Sequence, residues 1–274
     1  MTITLDFPTP PTIQLHKAIA GRGKKLTDGQ TVPRFEATIE HAPLTGIERY
    51  RRICLDPSTE GVPLAFPHIL AAPLHFAIFT HKAMPLPALG LVHVRNSITC
   101  HAPLDPSQPL SLKVWCEGHE AVRSGVEITL HTSASVGGEV VWEETTTALS
   151  RAGKGIGGPK VTEPEPLTGL TRSVSWRLPK DLGRRYAPVA GDHNPIHLYP
   201  LTAKMFGFSR PIIHGMWMLG RIGGALAAKA PCTVALEFRR PVLLPSTVFY
   251  SASADGRFDV RSSKGKLHMY GSIS

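Results

Sequence analysis

Hydrophobic and polar positions in the first half of the chain follow the period of a strand, then of helices, then of strands again. Residues 34–41 alternate, as a strand with one buried face does. Residues 46–56 predict a short helix, and residues 66–81 are apolar enough for a long buried helix despite Pro73. The segments that follow alternate or are rich in β-branched residues, and we predict strands at 91–99, 110–120, 124–135 and 138–150.

The second half repeats this order of elements. A strand is predicted at residues 173–179, a short helix at 180–191 and a long apolar helix at 212–230. The predicted strands that close this half lie at 233–242, 246–256, 257–263 and 266–274. The shared order indicates one architecture used twice.

Residues 151–169 separate the two halves. They are rich in Gly, Pro and charge and lack apolar periodicity, which predicts a linker between domains at residues 1–150 and 170–274. A long apolar helix followed by antiparallel strands can bury its surface only if the sheet curls around it. Two such sheets joined edge to edge also protect strands that either half alone would leave open. We therefore predict an α+β fold with one continuous sheet. Two independent β-sandwiches would explain the strands but not the long helices.

The composition is that of a globular protein, with 42% hydrophobic and 19% charged residues among 274. The net charge of +9 suits an anionic partner, either nucleic acid or a phosphorylated ligand. Lys and Arg occur as short pairs rather than as a dense block, which argues against nucleic acid. A phosphorylated small molecule is the better expectation.

The remaining composition predicts a cytoplasmic protein without a metal or cofactor. The four cysteines lie far apart, and the 13 histidines form no HExxH or Cys/His cluster. The N-terminus lacks the basic start and apolar run of a secretory signal, and no stretch of about 18 apolar residues occurs. We expect free thiols and no membrane insertion.

Asp192 and His197 are the candidate acid and base groups. They flank Asn194-Pro195, and proline after an asparagine cap favours the start of a helical turn. On a continuous helix, residues five apart would point about 140° away from each other. The break at Asn194-Pro195 removes that constraint, so both side chains can converge on one water and move its protons. Either residue alone would more often serve only as a cap or a hydrogen-bond partner.

Gly215 lies where the chain enters the second long apolar helix. The free amides at a helix N-terminus attract negative charge, and a glycine there allows close approach to the backbone. The Gly215 amide is therefore a candidate to polarise a carbonyl group and to stabilise enolate charge. Gly220, Gly223 and Gly224 further along are expected to serve only close packing.

Residues 186–220 carry a resemblance to a known family. The residues concerned are Tyr186, Ala187, Gly191, Asp192, Asn194, Pro195, Ile196, His197, Ala203, Gly207, Phe208, Pro211, Ile212, His214, Gly215 and Met216. In this order and spacing they resemble the signature of MaoC-like dehydratases, also called (R)-specific enoyl-CoA hydratases. Ala190 and Tyr199 depart from the family's pattern, in which Ser or Thr and Asp are frequent, and this bears on the local capping.

The resemblance implies a double hotdog fold and reversible hydration of trans-2-enoyl thioesters to (R)-3-hydroxyacyl thioesters, without metal or redox cofactor. Asp192 and His197 would activate the water, Gly215 would supply the oxyanion amide, and Asn194 would shape the loop. The expected substrate-binding residues are Tyr186, Pro211, His214 and Met216. Coenzyme A and acyl carrier protein both present phosphate, and the basic candidates to meet it are Arg184, Arg185, Lys204, Arg210, Arg239 and Arg240.

The first half has no counterpart of the Gly-Asp-x-Asn-Pro-x-His pattern. Leu70, Ala71 and Ala72 are expected in the place that His214, Gly215 and Met216 take in the second half. By resemblance to double-hotdog hydratases, the first half would be non-catalytic and would accommodate the acyl chain, giving one active site per chain.

Two other functions stay open from the sequence. A hotdog thioesterase would also use a carboxylate, a water and a helix N-terminal amide, but it would release free thiol. A non-catalytic acyl-binding subunit of a dehydratase complex is disfavoured by the intact Asp192/His197 pair. Two fused repeats already provide the pair of hotdogs that single-repeat relatives obtain by dimerising, so a homodimer is an open possibility.

Overall fold

The computed structural model describes residues 1–4, 21, 23–158 and 162–274. Most of the N-terminal lead-in, at 5–20, and residues 159–161 of the predicted linker lie outside the described residues. The first half contains β1 (Thr2–Thr4), β2 (Phe35–Ala42), α1 (Ile47–Cys54), α2 (Phe66–Thr80), β3 (Val92–Cys100), β4 (Leu110–Cys116), β5 (Glu120–Val122), β6 (Gly125–Val136) and β7 (Glu139–Ser150).

The second half begins with β8 (Leu170–Leu178), and the described part of residues 151–169 contains no helix or strand. After β8 come α3 (Leu182–Ala190), a 3-10 turn (Pro195–His197), α4 (Pro200–Met205), α5 (Gly215–Leu226), β9 (Cys232–Phe238), β10 (Ser246–Ser253), β11 (Arg257–Ser262) and β12 (Leu267–Ile273). The described residues contain no helix that combines the length and apolarity needed to span a bilayer.

The described strands form one sheet in the order β1-β2-β4-β6-β7-β3-β9-β12-β11-β10-β8, with β5 paired to β6. All pairings are antiparallel except β1 with β2. The block β2-β4-β6-β7-β3 has the same connectivity as β8-β10-β11-β12-β9, since each half places its first strand outermost and the strand after its long helix innermost. The two innermost strands, β3 and β9, join the halves, with Cys100 opposite Cys232 at one end of the register. This is the predicted double hotdog.

The long helix of the second half is shorter than the predicted 212–230. Ile212 forms a bridge with Leu243, and the Ile213 amide donates to the Val242 carbonyl at 2.9 Å, so these residues are held in extended backbone. The helix begins only at Gly215 and ends at Leu226, because Ala227 adopts a left-handed conformation with φ 51°. Tertiary pairing therefore overrides the apolar pattern at its start.

The predicted strand at 233–242 is also too long. β9 ends at Phe238, and the amides of Arg239 and Arg240 both donate to the carbonyl of His268. Strands β1 and β5 have no counterpart among the sequence predictions; each has only three residues. Such short segments give too little pattern for a prediction.

Each long helix is largely buried. In the first half α2 packs on β2, β4 and β6, as a helix wrapped by its own sheet must. In the second half α5 packs on α1 of the first half, and the Trp217 indole donates to the Ile53 carbonyl at 2.8 Å. A Cβ added at Gly220 would lie 2.4 Å from the Tyr50 hydroxyl oxygen, and one at Gly224 would lie 2.9 Å from the Asp56 Cα. Close packing by these two glycines is confirmed, but Gly223 has only an ordinary contact at 3.8 Å, to Leu64.

Two glycines one turn apart in α5 should therefore respond oppositely to alanine. We expect Gly220→Ala to lower the free energy of unfolding by about 1–3 kcal/mol, because the added methyl overpacks α1 against α5. Gly223→Ala should be neutral or should raise it by up to about 1 kcal/mol, because alanine is the better helix former. Urea unfolding monitored by circular dichroism measures both, and equal destabilisation would contradict the packing described.

Candidate active site

A helix end and a capped turn present the first two site residues. Gly191 ends α3 in the left-handed conformation, at φ 68°, which an L side chain rarely adopts, and Asp192 follows at once. The Asp192 Oδ1 accepts the Asn194 amide at 2.9 Å. The Asn194 side-chain oxygen in turn accepts the Ile196 amide at 3.4 Å, so the predicted asparagine cap is present and His197 is the third residue of the turn. The loop brings Asp192 and His197 to one place.

The imidazole of His197 and the carboxylate of Asp192 face each other without touching. The distance from His197 Nε2 to Asp192 Oδ2 is 3.9 Å, too long for a hydrogen bond but suited to a shared water. His197 Nδ1 lies 2.8 Å from the Ile212 carbonyl and so carries the proton, which leaves the lone pair on Nε2. Burial lowers the pKa of His197 below 6.5, against the opposing effects of Asp192 and the Ile212 carbonyl. The neutral imidazole can therefore accept a proton at neutral pH.

His214 completes a cluster of three. Its ring stacks on that of His197, with centroids 3.8 Å apart, and its Nε2 donates to the Asp192 backbone carbonyl at 3.0 Å. Burial, together with neighbouring His197, lowers the pKa of His214 to about 3, so it stays neutral. Burial opposes the charge on Asp192, but His214 and His197 hold the pKa of its carboxyl below 3.8. Asp192 is therefore the anion of the cluster.

The Gly215 amide opens α5 beside this cluster. As the first helical residue, with His214 as its cap, Gly215 has no acceptor within the helix for its N–H. A Cβ added at Gly215 would lie 2.9 Å from the Phe238 ring. Only glycine therefore fits at this position without a shift of the ring.

A cavity of about 380 Å³ joins the cluster to both halves of the chain. Nine of the site residues predicted from the sequence line this cavity. Two are Arg239 and Arg240, and the other seven are Tyr186, Asp192, Asn194, His197, His214, Gly215 and Met216. The apolar part of its wall includes Ile69, Ala72, Leu91, Val92, Leu149, Phe208, Met218 and Phe238. One polar corner with an apolar wall is the form expected of a small-molecule site.

Several predicted residues are not among those that line the cavity. Pro211 is buried, and its carbonyl accepts the Leu244 amide. Arg239 and Arg240 line the cavity, and Arg240 also forms an ion pair with Glu163. The other four basic candidates lie elsewhere: Arg184, Arg185, Lys204 and Arg210. Of these, Arg184 donates to the Leu198 carbonyl at 3.0 Å and Arg210 to that of Pro245 at 3.0 Å.

The cavity also contains polar residues that the sequence reasoning missed. His68 and His93 line it from the first half, and Arg151 lines it from the start of the predicted linker. Leu70, Ala71 and Ala72 were expected in the place that His214, Gly215 and Met216 take at the start of α5. Because α2 begins at Phe66, as predicted, these three residues lie about one turn into the helix and do not occupy the equivalent position. His68 thus lies in the first turn, and only the pairing of distant strands brings it to the site. No local motif could have indicated it.

Two groups of side chains among the described residues have closely spaced potential metal ligands. The ligand atoms of Asp192, His197 and His214 lie within 4.8 Å of one another, as do those of His68, His75 and Glu144. In the first group, however, the nitrogen of His214 that faces Asp192 already donates to a backbone carbonyl. The absence of a metal or cofactor stays a prediction.

The fold and the site define a double-hotdog protein with an Asp–His cluster beside the N-terminus of a buried helix. Residues 158–272 match the MaoC like domain. The chain is 31% identical over 268 residues to 3-hydroxyacyl-thioester dehydratase X of Mycobacterium tuberculosis, covering 94% of this chain and 96% of that protein. It is also 33% identical over 69 residues to the (R)-specific enoyl-CoA hydratase of Aeromonas caviae, covering 23% of this chain and 52% of that protein.

The crystal structure of HtdX from Mycobacterium tuberculosis superposes with a TM-score of 0.76 at 31% identity, covering 86% of this chain and 98% of that chain. The sequence match to dehydratase X and the structural match to HtdX each extend over most of both chains. The chain belongs to the MaoC-like dehydratases.

The contact between Gly215 and Phe238 gives a test of the site's packing. We expect Gly215→Ala to lower the free energy of unfolding by about 1–3 kcal/mol, since its methyl group overpacks the aromatic ring. Phe238→Leu, which shortens the opposing side chain, should cost less in the Gly215→Ala background than in the wild type. A double-mutant cycle by urea unfolding measures this coupling, and strict additivity would contradict it.

Proposed function

We propose that this chain is a hydro-lyase that interconverts trans-2-enoyl and (R)-3-hydroxyacyl thioesters. The observation that carries the proposal is the 3.9 Å gap between the His197 Nε2 and the Asp192 Oδ2 beside the Gly215 amide. The names of two relatives, a 3-hydroxyacyl-thioester dehydratase and an (R)-specific enoyl-CoA hydratase, agree with it.

The cluster supplies the proton transfers of the reaction. A water held between Asp192 and His197 gives one proton to the pair as its oxygen adds to C3 of the enoyl group. The pair then returns a proton to C2, so that one water is added and the protein is unchanged. Dehydration follows the same path in reverse. Ionised Asp192 orients the water, and neutral His197 accepts the proton.

The amide of Gly215 stabilises the negative charge that develops on the thioester oxygen during addition. When oxygen adds to C3, electron density moves through C2 to the thioester oxygen, which becomes enolate-like. A helix N-terminal amide aimed at that oxygen stabilises it without reorganisation at the moment of reaction. His214 is then a positioning residue, because it stacks on His197 and bonds the Asp192 backbone.

Removing either proton-transfer group tests this mechanism. We expect Asp192→Asn and His197→Ala each to lower kcat/KM by at least about two decades, the usual effect of losing a general acid or base. The loss of absorbance of the conjugated enoyl thioester, followed with crotonyl-, octenoyl- and longer enoyl-CoA, measures the rate.

The same assay separates hydration from hydrolysis. A thiol reagent added in parallel detects free coenzyme A, which a thioesterase would release and a hydratase would not. Lys204→Ala, an exposed residue away from the cavity lining, is the matched control and should keep wild-type activity. Full activity in both Asp192→Asn and His197→Ala would refute the assignment.

The phosphate of the carrier is proposed to meet the arginines that line the cavity. Arg239, Arg240 and Arg151 all contribute to its wall, where Arg239 also pairs with Glu237 and Arg240 with Glu163. Guanidinium groups bind phosphate through paired, charge-assisted hydrogen bonds. Either coenzyme A or acyl carrier protein fits this chemistry.

An arginine variant tests the carrier site. We expect Arg240→Ala to raise KM for enoyl-CoA about three- to thirtyfold with little change in kcat, because the phosphate contact is made equally in ground and transition states. Arg210→Ala, whose side chain bonds the Pro245 carbonyl outside the cavity lining, is the control. A fall in kcat at unchanged KM would contradict the role.

Three further sequence predictions belong to this proposal. The first half contributes cavity wall, including Ile69 and Ala72, and lacks a second copy of the Asp–Asn-Pro–His loop, which supports one active site per chain. A cytoplasmic location and a homodimer are the two others. The edge strand β8 is the surface on which a second copy could pair.

A further inference from the structure

A second polar cluster lies in the wall of the same cavity, on the side formed by the first half. His68, in the first turn of α2, lines the cavity and places its Nδ1 2.7 Å from the Oε2 of Glu144 on β7. Asn96 on β3 donates to the Oε1 of this carboxylate at 2.6 Å. The Glu144 side chain has 0% exposed surface, so two donors hold a fully buried anion.

This arrangement fixes which nitrogen of His68 carries a proton. Burial opposes the charge on Glu144, but His68 and Asn96 among its neighbours lower the pKa of Glu144 to about 2, so it stays ionised. An ionised carboxylate only accepts hydrogen bonds, and Nδ1 of His68 must therefore carry the proton. The Nε2 atom of a ring that borders the cavity is left for other partners.

The cluster lies close to the path of the acyl group. The Asn96 Nδ2 is 3.9 Å from the Met216 sulfur, and Met216 follows the Gly215 amide directly. Ile69, Ala72 and Leu149 contribute apolar wall on this side of the cavity, and His93 adds a second imidazole. A plain alkyl chain packed here would leave the Nε2 of His68 without a partner, which is costly in an apolar pocket. A polar group on the chain removes that cost.

We propose that His68, oriented by Glu144 and Asn96, forms a subsite for a hydroxyl group on the acyl chain beyond C3. A hydroxyl accepts from Nε2–H if the ring is protonated and donates to Nε2 if it is neutral, so it fits either state. The first half then selects the substrate in addition to providing room. The inference rests on the proposed function, because it takes the cavity as the acyl site.

The test compares 2-enoyl-CoA substrates of equal length that differ only in one chain hydroxyl, placed at successive carbons from C4 onward. At the best position, the wild type should favour the hydroxylated substrate at least about tenfold in kcat/KM, equivalent to about 1.4 kcal/mol. His68→Leu should reduce that ratio to within about threefold, and His68→Gln, which can still hydrogen-bond, should keep part of it.

Glu144→Gln tests the positioning role. It removes the charge that fixes the His68 ring but leaves the cavity wall, so the ratio should fall while activity on the plain substrate is retained. The matched control is His101→Leu, which removes a His–Glu pair on the surface. In that pair the His101 Nε2 lies 2.8 Å from the Glu143 Oε2. The control should leave the ratio unchanged. Thermal melting verifies that each variant is folded, and His68→Gln carries the test if the leucine variant is not.

Binding distinguishes failure of this inference from failure of the proposed function. Asp192→Asn is titrated calorimetrically with saturated acyl-CoA and with its chain-hydroxylated counterpart. Preferred binding of the hydroxylated ligand without hydration by the wild type would support the subsite and refute the hydratase. The subsite would be overturned if the wild type hydrated both substrates without preferring the hydroxylated one, or if His68→Leu kept that preference. It would also be overturned if neither ligand bound. If the purified protein contains one equivalent of zinc and His68→Leu does not, the cluster is a metal site and the hydroxyl subsite is overturned.

Discussion

Two backbone carbonyl groups determine what this site can do. The carbonyl of Ile212 fixes the proton of His197 on Nδ1, and that of Asp192 fixes the proton of His214 on Nε2. Neither imidazole can turn without losing a buried hydrogen bond, which is costly in a site of this kind. The bridge between Ile212 and Leu243 holds the first carbonyl in place. This isolated bridge therefore helps to set the tautomer of His197.

Both halves use the same connectivity for different chemistry. In the second half, the segment before the long helix carries Asp192 and His197, and the Gly215 amide that follows has no acceptor within the helix. In the first half, α2 starts with Phe66 and Pro67 and presents His68 instead. The β3–β9 junction places both surfaces on one cavity, so the proposed proton-transfer groups and the proposed hydroxyl subsite border the same space.

Much of the fold was predictable because each half repeats strong local patterns. The strand and helix order, the Asn194 cap and the convergence of Asp192 with His197 all depend on residues close in sequence. The start of α5 was not predictable from apolar pattern, because the pairing of Ile212 with Leu243 competes with helix formation. Glu144 and His68, 76 residues apart, meet only through the tertiary fold. The cavity position of Arg239 and Arg240, rather than Arg184 or Arg210, depends on where β9 ends.

The indole of Trp217 is anchored to the last turn of α1, and Gly220 lets that helix approach α5 closely. The Gly215 amide therefore takes its position partly from residues 160 or more places earlier in the chain. A fragment cut back to residues 170–274 would lack this support along with the neighbouring strand. The first half of the chain therefore acts as a structural support for the helix that opens the site in the second half.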